Sequence, residues 1–198
     1  MRIEDDASSF LIVIFSSLVE ILGEGTAQAF AQESGFSETN SKVHFRTDGT
    51  RLITELGGWL SRRYDSLTAK GLFIRLGRSS LTYLRRLDNE IASLGNIENR
   101  LKPVDRRFDF SLDVLGSRLQ EISGFGITVE VAGKREYEWK IVKQDKCGSD
   151  QFLLPYLFFG LLEEFCVWLD SRKDYRISYQ DGEEFDRSTI NILIRDLI

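Results

Sequence analysis

The hydrophobic period of the chain changes near Gly124, and this change restricts the fold more than any other feature. Before it, apolar residues recur every three or four positions, which is typical of amphipathic helices. After it, apolar and polar residues alternate over 127–131 and 137–141, on either side of a glycine-containing turn. This pattern predicts an antiparallel hairpin. A second pair of alternating segments, 175–179 and 190–194, predicts two further strands.

Residues 152–169 lie between the two strand pairs and are apolar on nearly every side, which predicts a largely buried helix. The sequence therefore predicts an α+β fold, with N-terminal helices packed on a four-stranded antiparallel sheet and a ββαββ C-terminal half. We expect a single domain over 1–198. Its parts are an N-terminal helix and loop (1–49), a helical layer (50–124) and the ββαββ half (125–198).

The N-terminal half is expected to contain four helices. They are predicted over residues 10–22 with an extension towards 32, 50–64, 71–94 and 111–123. Ser66 or Thr68 is the expected N-cap of the third helix, and Ser111 that of the fourth. A secretory signal is the alternative for the first helix, but its leader is acidic and Glu20 and Glu24 interrupt its apolar run.

The third predicted helix carries the candidate binding face. One side is apolar, and Gly77 and Ser80 leave a shallow place where a backbone or a ligand could approach. The opposite side carries arginines, which suit a carboxylate such as a propionate or a fatty-acid head group. A solvent face with internal ion pairs is the alternative for these arginines. The candidate ligand-binding residues are Phe73, Leu76, Gly77, Ser80, Leu84, Arg75 and Arg78.

The charge of the chain is uneven. The net charge is −5, which argues against general nucleic-acid binding, so no nucleic-acid partner is expected. Residues 51–107 nevertheless hold 12 basic and 6 acidic side chains. This basic stretch suggests an anionic partner for the helical half.

The residues that usually carry catalysis or bind metals are few. Cys147 and Cys166 form neither a disulfide framework nor a zinc site, and they suit a reducing compartment. His44 is the sole histidine and has no cysteine nearby. Glu163 and Glu164 are adjacent, so on a helix they point about 100° apart and are poorly placed to flank one substrate. We therefore predict no catalytic residue and no metal ligand.

Several segments, taken in order, resemble the 4-vinyl reductase domain, a relative of the small TRAPP vesicle-tethering subunits and of the haem-NO-binding superfamily. The resemblance covers most of residues 50–195. The segments that carry it are GLFIRLGRSSLTYLRR (71–86), VDRRFDFSLDVLGSRLQEI (104–122), YEWKIVKQDKC (137–147), YLFFGLLEEFCVWL (156–169) and YRISYQDGEEFDRSTINILI (175–194).

The cysteines depart from the pattern of this family. Its members typically carry a cysteine cluster before the late helix and two cysteines in the final hairpin. Here Cys147 alone matches the first cluster, and Gly182 and Ile190 stand roughly where the final pair is expected. The resemblance therefore implies a ligand-holding or assembly role rather than catalysis. It also implies a pocket between helices and sheet for a lipid or tetrapyrrole, and dimerisation through helices as in the TRAPP branch.

Three functions follow as expectations. The first is a non-catalytic assembly or scaffold factor that pairs with itself or with a subunit of the same fold. It would be cytoplasmic or peripheral to a membrane complex, and would serve a photosynthetic (photosystem or pigment–protein) complex. The alternative is a carrier or sensor of a hydrophobic small molecule, such as a tetrapyrrole or a fatty acid. The third, a vinyl-reductase-type enzyme, lacks a recognisable redox cofactor site.

Overall fold

The chain folds into a helical N-terminal part and a C-terminal part that contains a sheet. This computed structural model describes residues 3–36, 48–142, 153–181 and 187–196. The helices in these residues are α1 Ile3–Leu22, α2 Glu24–Glu33, α3 Asp48–Arg63, α4 Ser66–Leu87, α5 Asn89–Ser93, α6 Ile97–Arg100, α7 Val104–Ser123 and α8 Leu154–Leu169. The strands are β1 Gly126–Gly133, β2 Glu136–Val142, β3 Lys173–Asp181 and β4 Arg187–Asp196.

The first predicted helix is divided in two by Gly23. Its φ is 84°, a left-handed conformation that glycine adopts without the steric penalty of a side chain. The predicted extension towards residue 32 is helical, but Gly23 interrupts it, so that it forms the separate helix α2.

Helix α4 is capped by Asp65, so the predicted capping by Ser66 or Thr68 is wrong. The Asp65 carboxylate accepts hydrogen bonds from the backbone N–H groups of Leu67, at 3.0 Å, and Thr68, at 3.1 Å. These bonds satisfy two donors that have no partner within the helix. The α4 helix ends at Leu87, seven residues before the predicted end, because Asp88 caps the short helix α5.

Helix α7 begins at Val104, directly after Pro103, and not after Ser111. Ser111 is buried inside the helix, where its hydroxyl accepts a hydrogen bond from the Asn99 side chain at 2.9 Å. The predicted capping by Ser111 is therefore wrong. The predicted end is confirmed, since Gly124 follows the helix in the left-handed conformation.

The four strands form one antiparallel sheet in the order β1-β2-β4-β3, as the alternating segments predict. The helices cover one of its faces. The residues on that face include Tyr137, Trp139, Ile141, Ile190 and Ile192, which are all buried. The other face carries polar residues such as Glu130, Asp174 and Arg176. The predicted α+β class is confirmed.

The helices form two layers over the sheet. Helix α7 packs on β1, and α8 packs on β3 and β4. Helix α4 packs chiefly against α8 and α1, in the second layer. Helix α4 therefore lies one layer away from the sheet, because the more apolar α8 takes the place next to it. None of the described helices has the length and apolarity needed to cross a bilayer.

Candidate functional site

The apolar candidate residues of α4 lie inside the helical layers. Phe73, Leu76 and Leu84 are almost fully buried. The Ser80 hydroxyl donates to the Leu76 carbonyl at 2.7 Å and lies 3.2 Å from the Ser17 hydroxyl of α1. All four side chains are thus occupied by contacts within the molecule, and their role as ligand contacts remains a prediction.

The shallow place at Gly77 is filled by the backbone of α8. A Cβ atom at Gly77 would lie 1.9 Å from the Leu157 carbonyl oxygen, and one at Gly160 would lie 2.0 Å from the Ile74 carbonyl oxygen. Both distances are far below any tolerable contact. The two glycines therefore permit a mutual close approach of α4 and α8, which corresponds to the backbone alternative of the sequence prediction.

The exposed arginines of α4 are partly engaged. Arg78 donates through Nε at 3.0 Å and Nη2 at 2.7 Å to the Glu163 carboxylate on α8. Arg85 stacks over the Trp168 ring at 4.3 Å from its centroid. Arg75 is exposed and makes no ion pair with another described residue. An anion that approaches this face would meet no carboxylate of the described residues already paired with Arg75, and the binding role of Arg75 remains a prediction.

The space between α8 and the sheet is filled by aromatic rings and contains an unpaired donor. The Phe158 ring centroid lies 6.0 Å from that of Phe125 and 6.2 Å from that of Trp139. Trp139 is fully buried, and its indole N–H has no hydrogen-bond acceptor among the described residues. Leaving such a donor unpaired costs about 1–3 kcal/mol. A polar atom of a bound molecule would satisfy it.

The buried titratable groups of this region are held in their neutral forms. Burial raises the pKa of the Cys166 thiol well above its usual range, and the charge of Glu163 adds to this effect. Burial also raises the pKa of the Tyr137 phenol, which donates a hydrogen bond to Asp109 at 2.7 Å. Neutral thiols and phenols are poor nucleophiles and poor metal ligands. Within the described residues, no three His, Cys, Asp or Glu side chains lie close enough together to hold a metal ion.

An open pocket of about 560 Å³ runs along the edge strand β3. Its lining residues are Glu163 and Val167 of α8, residues 173–177 of β3, and Arg195 of β4. No local sequence pattern indicates this pocket, because it depends on the order of the strands. His44, Cys147 and Gly182, which the sequence analysis discussed, lie outside the described residues.

The fold is similar to that of H-NOX domains. A T. Tengcongensis H-NOX mutant is 11% identical, with a TM-score of 0.57 over 96% of this chain and 98% of its own. An oxygen-binding H-NOX domain related to soluble guanylate cyclases is also 11% identical, with a TM-score of 0.56 over 96% and 94%. A Tt H-NOX variant reaches 0.59 at 12% identity over 95% and 94%.

No family model matches the sequence, and no curated protein matches it. The 4-vinyl reductase and TRAPP parts of the resemblance are therefore not confirmed. At 10–13% identity the structural likeness establishes the fold and not the ligand. This chain has the fold of the H-NOX domains over nearly its whole length.

Proposed function

We propose that this chain is a non-catalytic domain that senses a hydrophobic small molecule bound between α8 and the sheet. The observation that carries the proposal is the buried indole N–H of Trp139 in that layer, which has no acceptor in the described part of the chain. The fold supports it, since one neighbour of the same fold is an oxygen-binding H-NOX domain and another is a haem protein whose redox potential is modulated by porphyrin distortion. The proposal favours the sensor or carrier alternative over the scaffold.

The closed interior favours a sensor over a passive carrier. A carrier is served by a preformed cavity, whereas this layer is filled by the Phe158 ring, which contacts the rings of Phe125 and Trp139. A ligand could enter only if α8 and the sheet separate or the rings rotate. Binding would therefore be coupled to a change in the position of α8, which is the property that a sensor needs.

The described residues do not fit haem. The lone thiol among them, Cys166, is fully buried and held protonated by burial. The Tyr137 and Tyr175 phenols have raised pKa values, chiefly because of burial, and both donate hydrogen bonds within the protein. None of these groups is free to bind iron. The ligand class that suits this layer is a metal-free tetrapyrrole or a fatty acid.

Assembly through protein contacts is the second candidate function. It is favoured by β3, a nine-residue strand at the edge of the sheet with open space beside it. A free regular edge is a template for pairing with another chain. Service to a photosynthetic complex and a cytoplasmic, membrane-peripheral location remain predictions.

The test combines native mass spectrometry of the protein from its own source with titration of the ligand-free protein. Metal-free protoporphyrin IX and palmitate serve as probes, and tryptophan fluorescence is the readout. We expect one of them to bind. Trp139→Phe keeps the aromatic volume but removes the indole N–H, so binding should weaken about threefold to tenfold.

Trp168→Phe is the matched control, because Trp168 packs against Arg85 and Gly95 and its substitution should leave binding unchanged. The proposal fails if nothing accompanies the native protein and neither probe binds. It also fails if the two variants lose affinity equally.

A further inference from the structure

The two edges of the sheet differ in a way that points to a partner for one of them. Strand β1 is irregular, with a shift of register between Val131 and Gly133. Irregularities of this kind protect an edge from pairing. Strand β3 pairs with β4 through all nine residues without a shift, and no described strand lies on its other side. Only β3 therefore has the regular geometry that a further strand requires.

Open space lies directly beside this edge. Successive residues of a strand point to opposite faces of the sheet. The 560 Å³ pocket is nevertheless lined by five consecutive residues, 173–177. A pocket that contacts all five residues reaches the outer edge of the strand, and Arg195 of the inner neighbour β4 lines it as well. Val167 of α8, which is 49% exposed, lines the same space and would be covered by an added strand.

The charges along β3 are complementary to those of β3 in a second, antiparallel copy of the chain. Asp174 and Arg176 are exposed on the outer face, and neither forms an ion pair with a described residue. Within the sheet Asp174 lies opposite Arg195, and Arg176 opposite Leu193. In an antiparallel pair of β3 strands related by a two-fold axis at Tyr175, each Asp174 lies opposite the other copy's Arg176. Opposed Cβ atoms then lie about 4.5–5.5 Å apart, which suits an ion pair.

We propose that a second copy of this chain pairs with β3 in antiparallel register, with the two-fold axis at Tyr175. The two sheets then form one continuous eight-stranded sheet across the dimer, and two Asp174–Arg176 pairs fix its register. This interface is isologous, because the same strand serves on both sides. The dimer rests on the assembly function proposed for β3 and does not depend on the proposed ligand.

The experiment is a charge exchange on the full chain, read by analytical ultracentrifugation over a range of concentrations. Wild type should form a dimer. Asp174→Arg and Arg176→Asp each convert two opposite-charge pairs into two like-charge pairs, so each should raise the dimer dissociation constant at least about tenfold. The double variant restores both pairs with reversed polarity and should dimerise like wild type. Arg176→Asp is the cleaner single variant, because its neighbour within the sheet is uncharged.

Arg106→Asp and Asp113→Arg are the matched controls, since both residues are exposed on α7 and neither forms an ion pair with a described residue. They should leave dimerisation unchanged. Circular dichroism establishes that each variant is folded, and hydrogen exchange should show greater protection in β3 than in β1. A monomeric wild type overturns the proposal and leaves the edge to another occupant. Folded single variants that still dimerise, or a double variant that does not, overturn it as well.

Discussion

Asp170 ties together three elements that meet at the end of α8. Its backbone N–H caps the helix, and its carboxylate accepts hydrogen bonds from Arg107 of α7 and from Arg172 at 2.9 Å. Its backbone carbonyl accepts a hydrogen bond from the Tyr175 hydroxyl of β3. The side chains of Asp170 and Arg107 are each only 2% exposed. Loss of Asp170 would therefore leave the buried charge of Arg107 without compensation among the described residues, whereas loss of Arg107 would leave Asp170 paired with Arg172.

The pH dependence of stability should reveal this ion pair. Burial raises the pKa of Asp170, but hydrogen bonds from Arg172 and the charge of Arg107 outweigh that effect and lower it from 3.8 to about 2. A lowered pKa means that the stabilisation is complete above pH 3.8 and is lost as the pH falls through 2. Asp170→Asn should lower the free energy of unfolding by about 3–5 kcal/mol at neutral pH.

The decisive measurement is chemical denaturation of wild type and Asp170→Asn at a series of pH values. Other carboxylates also titrate in acid, so the informative quantity is the difference between the two proteins. That difference should shrink by about 2 kcal/mol as the pH falls from neutral through the pKa. Asp113→Asn changes an exposed carboxylate of α7 and should follow wild type throughout. A difference that does not vary with pH would contradict the assignment.

The crossing of α4 and α8 determines how the two helical layers fit together. Gly77 and Gly160 each face a carbonyl oxygen of the other helix, at a distance that excludes a Cβ atom. Gly71 also lies in α4, but a Cβ there would meet nothing within 4 Å. Alanine substitutions at Gly77 and at Gly71 therefore distinguish the effect of close helix packing on stability from the effect of helix propensity.

Gly77→Ala should destabilise the protein by at least about 1–3 kcal/mol, because α4 and α8 must move apart to admit the methyl group. Gly71→Ala should stabilise it by up to about 1 kcal/mol, since alanine is the better helix former. Thermal and denaturant unfolding of the two variants and wild type give the comparison. Equal effects of the two substitutions would show that the close crossing does not exist in solution.

The hydrophobic periodicity of the sequence predicted the helices and strands, but it did not predict which of them pack against each other. The alternation in 127–141 and the apolar run in 152–169 are local signals, and they correctly predicted β1, β2 and α8. The order of the layers depends on which helix is more apolar. Helix α8 is more apolar than α4 and therefore lies on the sheet. The unpaired state of Trp139 and the pairing of Asp170 with Arg107 depend on residues distant in sequence, so no local pattern could reveal them. Gly160, inside an apolar helix, was an overlooked sign of close packing.

Among the described residues, two aromatic clusters contain three or more rings each, and they have different consequences. One packs the helices α1 to α3 together and the other packs α8 on the sheet. The first includes Phe15, Phe30, Phe36 and Trp59, and the second includes Phe125, Trp139 and Phe158. Only the second surrounds an unpaired buried donor. A ligand that enters the molecule should therefore displace rings of the second cluster, and the rings of the first cluster should keep their positions.

Phe158→Ala should make stability and ligand binding change in opposite directions. Removal of this buried ring costs roughly 3–5 kcal/mol of unfolding free energy, because it leaves a cavity. The same cavity removes the steric barrier beside Trp139, so metal-free protoporphyrin IX or palmitate should bind more tightly than to wild type. Phe30→Ala is the control, since that ring is equally buried and belongs to the other cluster. It should lose similar stability without a gain in affinity. Denaturant unfolding and fluorescence titration measure the two quantities, and tighter binding by both variants would place the ligand elsewhere.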